Sequence, residues 1–260
     1  MRIVSLCPSL TELIFDLGRG TELVGITDYC VHPADRVDAI EKVGGTKTPT
    51  VSRIIELEPD LVLLNDEENR IEDAQALEGA GITCLSSLPR NPEETATMVR
   101  SIGKAIDRPE LAEGIASEIE RRCNRAQRAA AALPGVRFAY LIWRKPWMSV
   151  SGDTFAHSLL ALAGGVNVFC ERPERYPELT DEELREARPS ILLLGSEPFP
   201  FAETHRDELA RIVDMDRSCI HLVDGEYLSW YGSRTPDGID YAAAVIDQAR
   251  TCVSHSPDDC

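Results

Sequence analysis

Ile54-Ile-Glu-Leu-Glu-Pro-Asp-Leu-Val-Leu-Leu-Asn-Asp-Glu67 and Leu184-Arg-Glu-Ala-Arg-Pro-Ser-Ile-Leu-Leu-Leu-Gly-Ser-Glu197 pass through the same four events: a helix, a proline, a short apolar strand and an acidic loop. Setting Pro59 on Pro189 sets Glu67 on Glu197. A strand apolar on both faces suits a parallel sheet covered by helices on each side, so the repeated grammar is βα. Gene duplication and the common grammar of βα units both produce such a repeat.

Working outward, strands are expected at Ile3 to Leu6, Leu23 to Thr27, Leu61 to Leu64, Thr83 to Leu85, Arg137 to Ile142, Ile191 to Leu194 and His221 to Val223. Helix starts are expected at Ser9-Leu-Thr-Glu12, Asn91-Pro-Glu-Glu94 and Thr180-Asp-Glu-Glu183, where a side-chain oxygen would meet free amides and a carboxylate would meet the helix dipole. Glu110 to Leu133 is rich in Ala, Glu and Arg, with Gly114 as its one breaker, and would span about 35 Å as a helix. These patterns predict an α/β chain of two Rossmann-like lobes with parallel sheets, residues 1–108 and 135–260, joined by one long helix at 109–134. The same long segment also fits a surface helix on a single sheet.

The chain has 260 residues, 43% of them hydrophobic, enough for one large core or two small ones. Lys and Arg total 27 against 44 Asp and Glu, a formal net charge of -17 that repels phosphate backbones and anionic lipid. Nucleic acid is therefore not an expected partner. No run approaches the roughly 18 apolar residues of a membrane helix, so no membrane insertion is expected either. Cys7, Cys30, Cys84, Cys123, Cys170, Cys219, Cys252 and Cys260 are scattered without CxxC spacing, which argues against a zinc ribbon or redox motif. With Met1 leading straight into a strand, scattered thiols favour a cytoplasmic protein, or a periplasmic or extracellular one if the chain is a processed form.

Ligands of open parallel sheets sit beyond the carboxyl ends of the strands. There the sequence places Asp28-Tyr-Cys-Val-His-Pro33, Asn65-Asp-Glu-Glu-Asn69, Trp143-Arg-Lys-Pro-Trp147, Ser196-Glu-Pro-Phe-Pro-Phe201 and Tyr227-Leu-Ser-Trp-Tyr-Gly-Ser-Arg234. Trp143, Trp147, Phe199, Trp230 and Tyr231 are the expected walls of a cleft for a bulky flat ligand, since rings offer apolar area at little entropic cost. Each ring would equally serve as core filling. Cys30 and His32 are candidate metal ligands, or a buried thiol and a turn histidine; His32 is also a candidate axial ligand to a metal already held by a chelate. Arg144 and Arg234 would fork onto ligand carboxylates or amides, or pair with local carboxylates; Thr46 and Glu67 complete the candidate binding set. Gly44-Gly-Thr-Lys-Thr48 lacks the first glycine of a nucleotide-binding loop. GxSxG, HExxH and a complete GxGxxG are missing, so an enzyme is not expected; the alternative is a metal-dependent enzyme or ligand sensor using Cys30, His32 and loop carboxylates.

Several stretches together resemble one family. They are Ile3-Val-Ser-Leu-Cys-Pro-Ser-Leu-Thr-Glu12, Leu23-Val-Gly-Ile-Thr27 with Cys30 and Pro33, Val43-Gly-Gly45, Pro59-Asp-Leu-Val-Leu63, Trp143 to Trp147, Gly152-Asp-Thr154, Leu159 to Asn167, and Asp224-Gly-Glu226 leading to Trp230-Tyr-Gly-Ser-Arg234. Their order over nearly the whole chain resembles the substrate-binding proteins of ABC importers for iron siderophores and cobalamin, the helical-backbone class III type, and most of all the cobalamin-binding branch. The resemblance implies a monomeric solute-binding protein with no intrinsic cofactor. It would clasp a corrinoid or iron chelate between two lobes for transport or intracellular handling. It also implies docking to a permease through one acidic residue per lobe, Glu67 or Glu68 in the first and Glu197 or Glu203 in the second.

Overall fold

A computed structural model describes residues 1–253; Cys260, the last of the eight cysteines, lies outside the described residues. Its elements follow one another as β1 (Ile3–Ser5), α1 (Pro8–Asp16), β2 (Leu23–Ile26), α2 (Val51–Glu56), β3 (Leu61–Asn65), α3 (Ile71–Gly79), β4 (Thr83–Ser87), α4 (Pro92–Ala105) and α5 (Pro109–Ala130). Then come β5 (Val136–Trp143), β6 (Trp147–Ser149), α6 (Phe155–Leu162), β7 (Gly165–Asn167), β8 (Glu178–Leu179), α7 (Asp181–Glu186), β9 (Ile191–Gly195), α8 (Glu203–Val213), β10 (Ile220–Val223), α9 (Gly225–Ser229) and α10 (Thr235–Val253).

The chain divides into two units. The first holds residues up to Pro89, then Glu93–Ile119, and also the short segment Trp230–Arg234 from far along the sequence. The second holds Arg90–Pro92, Glu120–Ser229 and the chain from Thr235 onward. Helix α5 carries the chain from one to the other. A single cut in the sequence at residue 135 thus misplaces Trp230–Arg234, because membership is decided by packing and not by chain order.

In the first unit the sheet runs β2-β1-β3-β4, parallel throughout. Val4, Leu6, Val62 and Leu64 point to one face, where Ile54 and Leu57 of the α2 segment and Leu77 of α3 close over them. Ile3, Leu61 and Leu63, on the alternate positions, are buried as well. Double burial is why these strands read as unbroken apolar runs.

The second unit repeats this plan and extends it. β7, β5, β9 and β10 are parallel neighbours in the order that β2, β1, β3 and β4 take in the first unit. The correspondence extends to side chains. Glu58 and Arg188 both take a left-handed φ of 45° just before Pro59 and Pro189. Arg2 caps the α2 end by donating to the Leu57 carbonyl at 2.6 and 2.9 Å, and Arg137 caps the α7 end through the carbonyls of Ala187 and Arg188 at 2.7 and 3.3 Å. Asp60 N–H donates to the Arg2 carbonyl and Ser190 N–H to the Arg137 carbonyl, each at 2.8 Å. The repeat read in the sequence is therefore a repeat in three dimensions.

The extension is antiparallel. β6 pairs with β5 and β8 with β6, so this sheet is mixed where an all-parallel one was expected. Trp143-Arg-Lys-Pro-Trp147 is not an open loop but a hairpin turn between β5 and β6. Lys145, at φ 67°, reverses the chain there. Strands of three and two residues, such as β7 and β8, are too short to show a periodic pattern.

One helix start shows the expected cap in full, one begins at the expected place and one departs from the pattern. Thr180 and Glu183 form a full capping box on α7, and α4 begins at Pro92 right after Asn91. At Ser9 there is no such box: α1 starts earlier, at Pro8, because proline at the first helical position presets φ and spares an unpaired N–H. Glu12 is thereby released for a different task.

Gly114 lies inside α5 with no atom within 4 Å of where a Cβ would stand. Gly114→Ala is expected to stabilise the protein by about 0.5–1 kcal/mol through helix propensity alone. Leu192→Ala, in the fully buried core of the second unit, is expected to cost about 2–5 kcal/mol. Urea unfolding followed by circular dichroism measures both.

Candidate functional site

In the first unit, one buried side-chain amide assembles the carboxyl end of the sheet. Asn69 donates from Nδ2 to the Leu6 carbonyl at 2.9 Å and the Thr46 carbonyl at 3.0 Å, and its Oδ1 accepts the Asn65 N–H at 2.8 Å. Asn65 extends the link: Nδ2 donates to the Ser87 carbonyl at 2.6 Å, and Oδ1 accepts the N–H groups of Glu67 and Glu68 at 3.0 Å. The ends of β1, β3 and β4 and the Thr46 loop are thus bound together. Both asparagines were visible in Asn65-Asp-Glu-Glu-Asn69, but nothing in the sequence distinguishes a structural amide from a loop residue.

Around this scaffold stand the residues expected after β2. Cys30 is fully buried, its Sγ 3.1 Å from the hydroxyls of both Thr11 and Thr27. Burial raises its pKa, and burial pushes the nearby Cys7 thiol up to about 12. Burial thus favours the thiol of both over the thiolate that ligates metals. Among the described residues no three His, Cys, Asp or Glu side chains gather in a metal-binding group. Thr11 and Thr27 together hold Cys30, and sequence reasoning missed that role for both.

His32 meets Trp230 edge to face, ring centroids 5.5 Å apart, and so belongs with the segment that enters this unit from afar. Tyr231, next in that segment, is buried with its hydroxyl 4.0 Å from Cys7 Sγ. Gly232 turns the chain at φ 114°, a conformation that side-chain-bearing residues rarely adopt. Arg234 then lies over the Trp230 ring at 4.7 Å and forks onto Glu12 of α1, Nε and Nη2 to the two carboxylate oxygens at 2.5 and 3.0 Å. Glu12 is the acidic residue released by the early start of α1.

Thr46 is buried, and Lys47 donates to the Glu67 backbone carbonyl. Glu68 has a raised pKa because burial disfavours its charge and Glu67 stands beside it.

In the second unit the expected rings separate by environment. Trp143 is 40% exposed and meets Phe199 edge to face at 5.8 Å. Phe199 continues onto Phe201 and His205, with centroids 4.8 and 5.3 Å away. His205 Nδ1 accepts the Ala202 N–H at 2.8 Å, which caps α8 and leaves the ring proton on Nε2 when the imidazole is neutral. Trp147 is different: it is buried in the core, stacked on Phe201 at 6.4 Å, with its indole N–H donated to Asp181 at 2.8 Å. On β6 its side chain alternates inward, so most of the ring fills the interior.

Arg144 forks onto Glu208 at 2.9 and 2.7 Å and lies 5.5 Å from the Trp147 ring. With Lys145, Pro146, Trp147, Leu179, Thr180 and Asp181 these two line a cavity of about 220 Å³. Glu203, a candidate docking residue, is held by Arg206 and Arg217, whereas Glu197 follows β9 at the position that Glu67 takes after β3.

The raised pKa of Glu68 means that the folded state binds its proton more tightly than the unfolded chain. Glu68 therefore favours folding at low pH, and that contribution is lost as pH rises through the folded-state pKa. Glu68→Gln is expected to gain stability relative to the parent between pH 4 and pH 7, read as a difference of urea midpoints that widens in the variant's favour.

Comparison with known proteins bears on the family and the fold. The family model described as periplasmic binding protein matches residues 3–212. The vitamin B12-binding protein of Vibrio cholerae serotype O1 is 22% identical over 249 residues, 96% of this chain and 90% of that protein. The crystal structure of periplasmic vitamin B12 binding protein BtuF of Vibrio cholerae superposes with a TM-score of 0.84 at 22% identity, covering 96% and 97% of the two chains. Periplasmic haem-binding protein BhuT in complex with two haems superposes with a TM-score of 0.82 at 21% identity, covering 97% and 98%.

Proposed function

Since this chain belongs to the periplasmic binding protein family, we propose that it is a solute-binding protein whose ligand is a flat metal chelate of the corrinoid or haem type, carried to an ABC permease. The observation that carries the reading is the exposed Trp143 with Phe199 at the carboxyl end of β5 in the second unit; in the first unit the half-buried His32 packs on the buried Trp230. Aromatic surface of this kind suits a large planar ring. The relatives' names point the same way, to vitamin B12 and to haem.

The binding role assigns no catalytic group to the chain. The alternative, a metal-dependent enzyme or ligand sensor centred on Cys30 and His32, draws no support from a buried thiol and an imidazole packed on an indole. For the place of action the family favours the periplasm over the cytoplasm suggested by the scattered thiols. No helix among the described residues is long and apolar enough to cross a membrane. For permease docking we favour Glu67 and Glu197, the two acidic residues that the repeat aligns after β3 and β9.

Titration with cyanocobalamin and with haem, followed by tryptophan quenching and calorimetry, is expected to show saturable binding of at least one. Trp230→Ala and Trp143→Ala are each expected to weaken it about tenfold or more, the value of a stacked ring in a ligand site. Absence of saturable binding to both chelates would remove the proposal.

A further inference from the structure

We propose that Glu12 and Glu208 select the charge of the ligand: by neutralising Arg234 in the first unit and Arg144 in the second, each fits the strand ends of its own unit to an amide-bearing, uncharged or cationic chelate and against one with free carboxylates. The inference rests on the chelate-binding reading above and names its ligand class.

Each arginine is held in the geometry that it would offer to a ligand carboxylate. Arg234 gives Nε and Nη2 to the two oxygens of Glu12, and Arg144 gives the same two nitrogens to the two oxygens of Glu208. These side-on forks are the strongest arrangement available to a guanidinium and a carboxylate. Side-chain exposure is low, 18% for both members of the first pair and 22% and 32% for the second, so solvent screens them only in part. Both guanidiniums also rest near indole rings, at 4.7 and 5.5 Å, which fixes where the charge is presented. A ligand carboxylate approaching either guanidinium would have to displace an intramolecular carboxylate already in place.

The other charges near the same strand ends do not reverse this balance. Asp66, Glu67 and Glu68 follow β3, while the amines of Lys42 and Lys47 are directed to the backbone carbonyls of Cys30 and Glu67. Glu197 follows β9, and Asp224 and Glu226 follow β10. Lys145 shares its cavity wall with Asp181 and Glu208. The net charge of -17 adds a long-range field of the same sign. Haem carries two propionates, whereas the corrin ring of cobalamin is rimmed with uncharged amides. An amide can accept from the outer face of a paired guanidinium without evicting its glutamate.

The test uses the full chain, its Glu12→Gln and Glu208→Gln variants, and the double variants Glu12→Gln with Arg234→Met and Glu208→Gln with Arg144→Met. Each is titrated with cyanocobalamin and with haem at low and high salt, after thermal melts confirm folding. The parent is expected to favour cyanocobalamin over haem by about tenfold or more, and each Gln variant to shift that ratio toward haem by about tenfold, less at high salt. The double variants should lose the shift, which ties it to the freed guanidinium. A folded variant whose ratio stays at the parental value, or a parent that binds haem as tightly as cyanocobalamin, overturns the charge selection and leaves the chelate reading standing. Binding of neither chelate by the parent overturns both. The two glutamates lie in different units, so if one variant fails to fold the other decides the matter.

Discussion

The first unit depends on a rule of backbone chemistry: polar groups at the buried ends of strands must find partners. Asn69 satisfies three of them with one amide, and Asn65 satisfies three more. Each buried group left unpaired would cost about 1–3 kcal/mol, so this pair of side chains holds the loops in register. Everything placed on those loops, from Thr46 to Glu68, inherits its position from the two asparagines.

The two units then show how a duplicated plan acquires a one-sided feature. The left-handed residue before the proline, the arginine that caps the preceding helix and the N–H of the residue after the proline recur at matching positions. These are backbone requirements of a helix-to-strand turn, and both copies meet them in the same way. The second unit alone adds the β5–β6 hairpin, which turns Trp147 inward and leaves Trp143 at the surface. One strand reversal thereby separates two tryptophans four residues apart into a core role and an exposed one.

Ion pairing follows a parallel logic. Arg234 and Arg144 read in the sequence as ligand forks or as partners of local carboxylates, and they are paired. Their partners come from α1 and α8, 222 and 64 residues away in the chain. No spacing rule connects residues that distant, and Glu12 read locally as part of a helix cap. The charge character of the site is accordingly a property of the folded chain.

The sequence by itself determined the α/β class, the seven expected strands and the long α5 segment, because these follow from local patterns of burial and propensity. It also displayed the repeat, since helix, proline and strand are contiguous. Only the tertiary structure decided which rings are exposed, which carboxylates neutralise which arginines, and that Trp230–Arg234 packs with His32 and Glu12. The physical reason is range: secondary structure is written in neighbours along the chain, whereas a binding surface is made by side chains whose proximity exists only after the chain has folded.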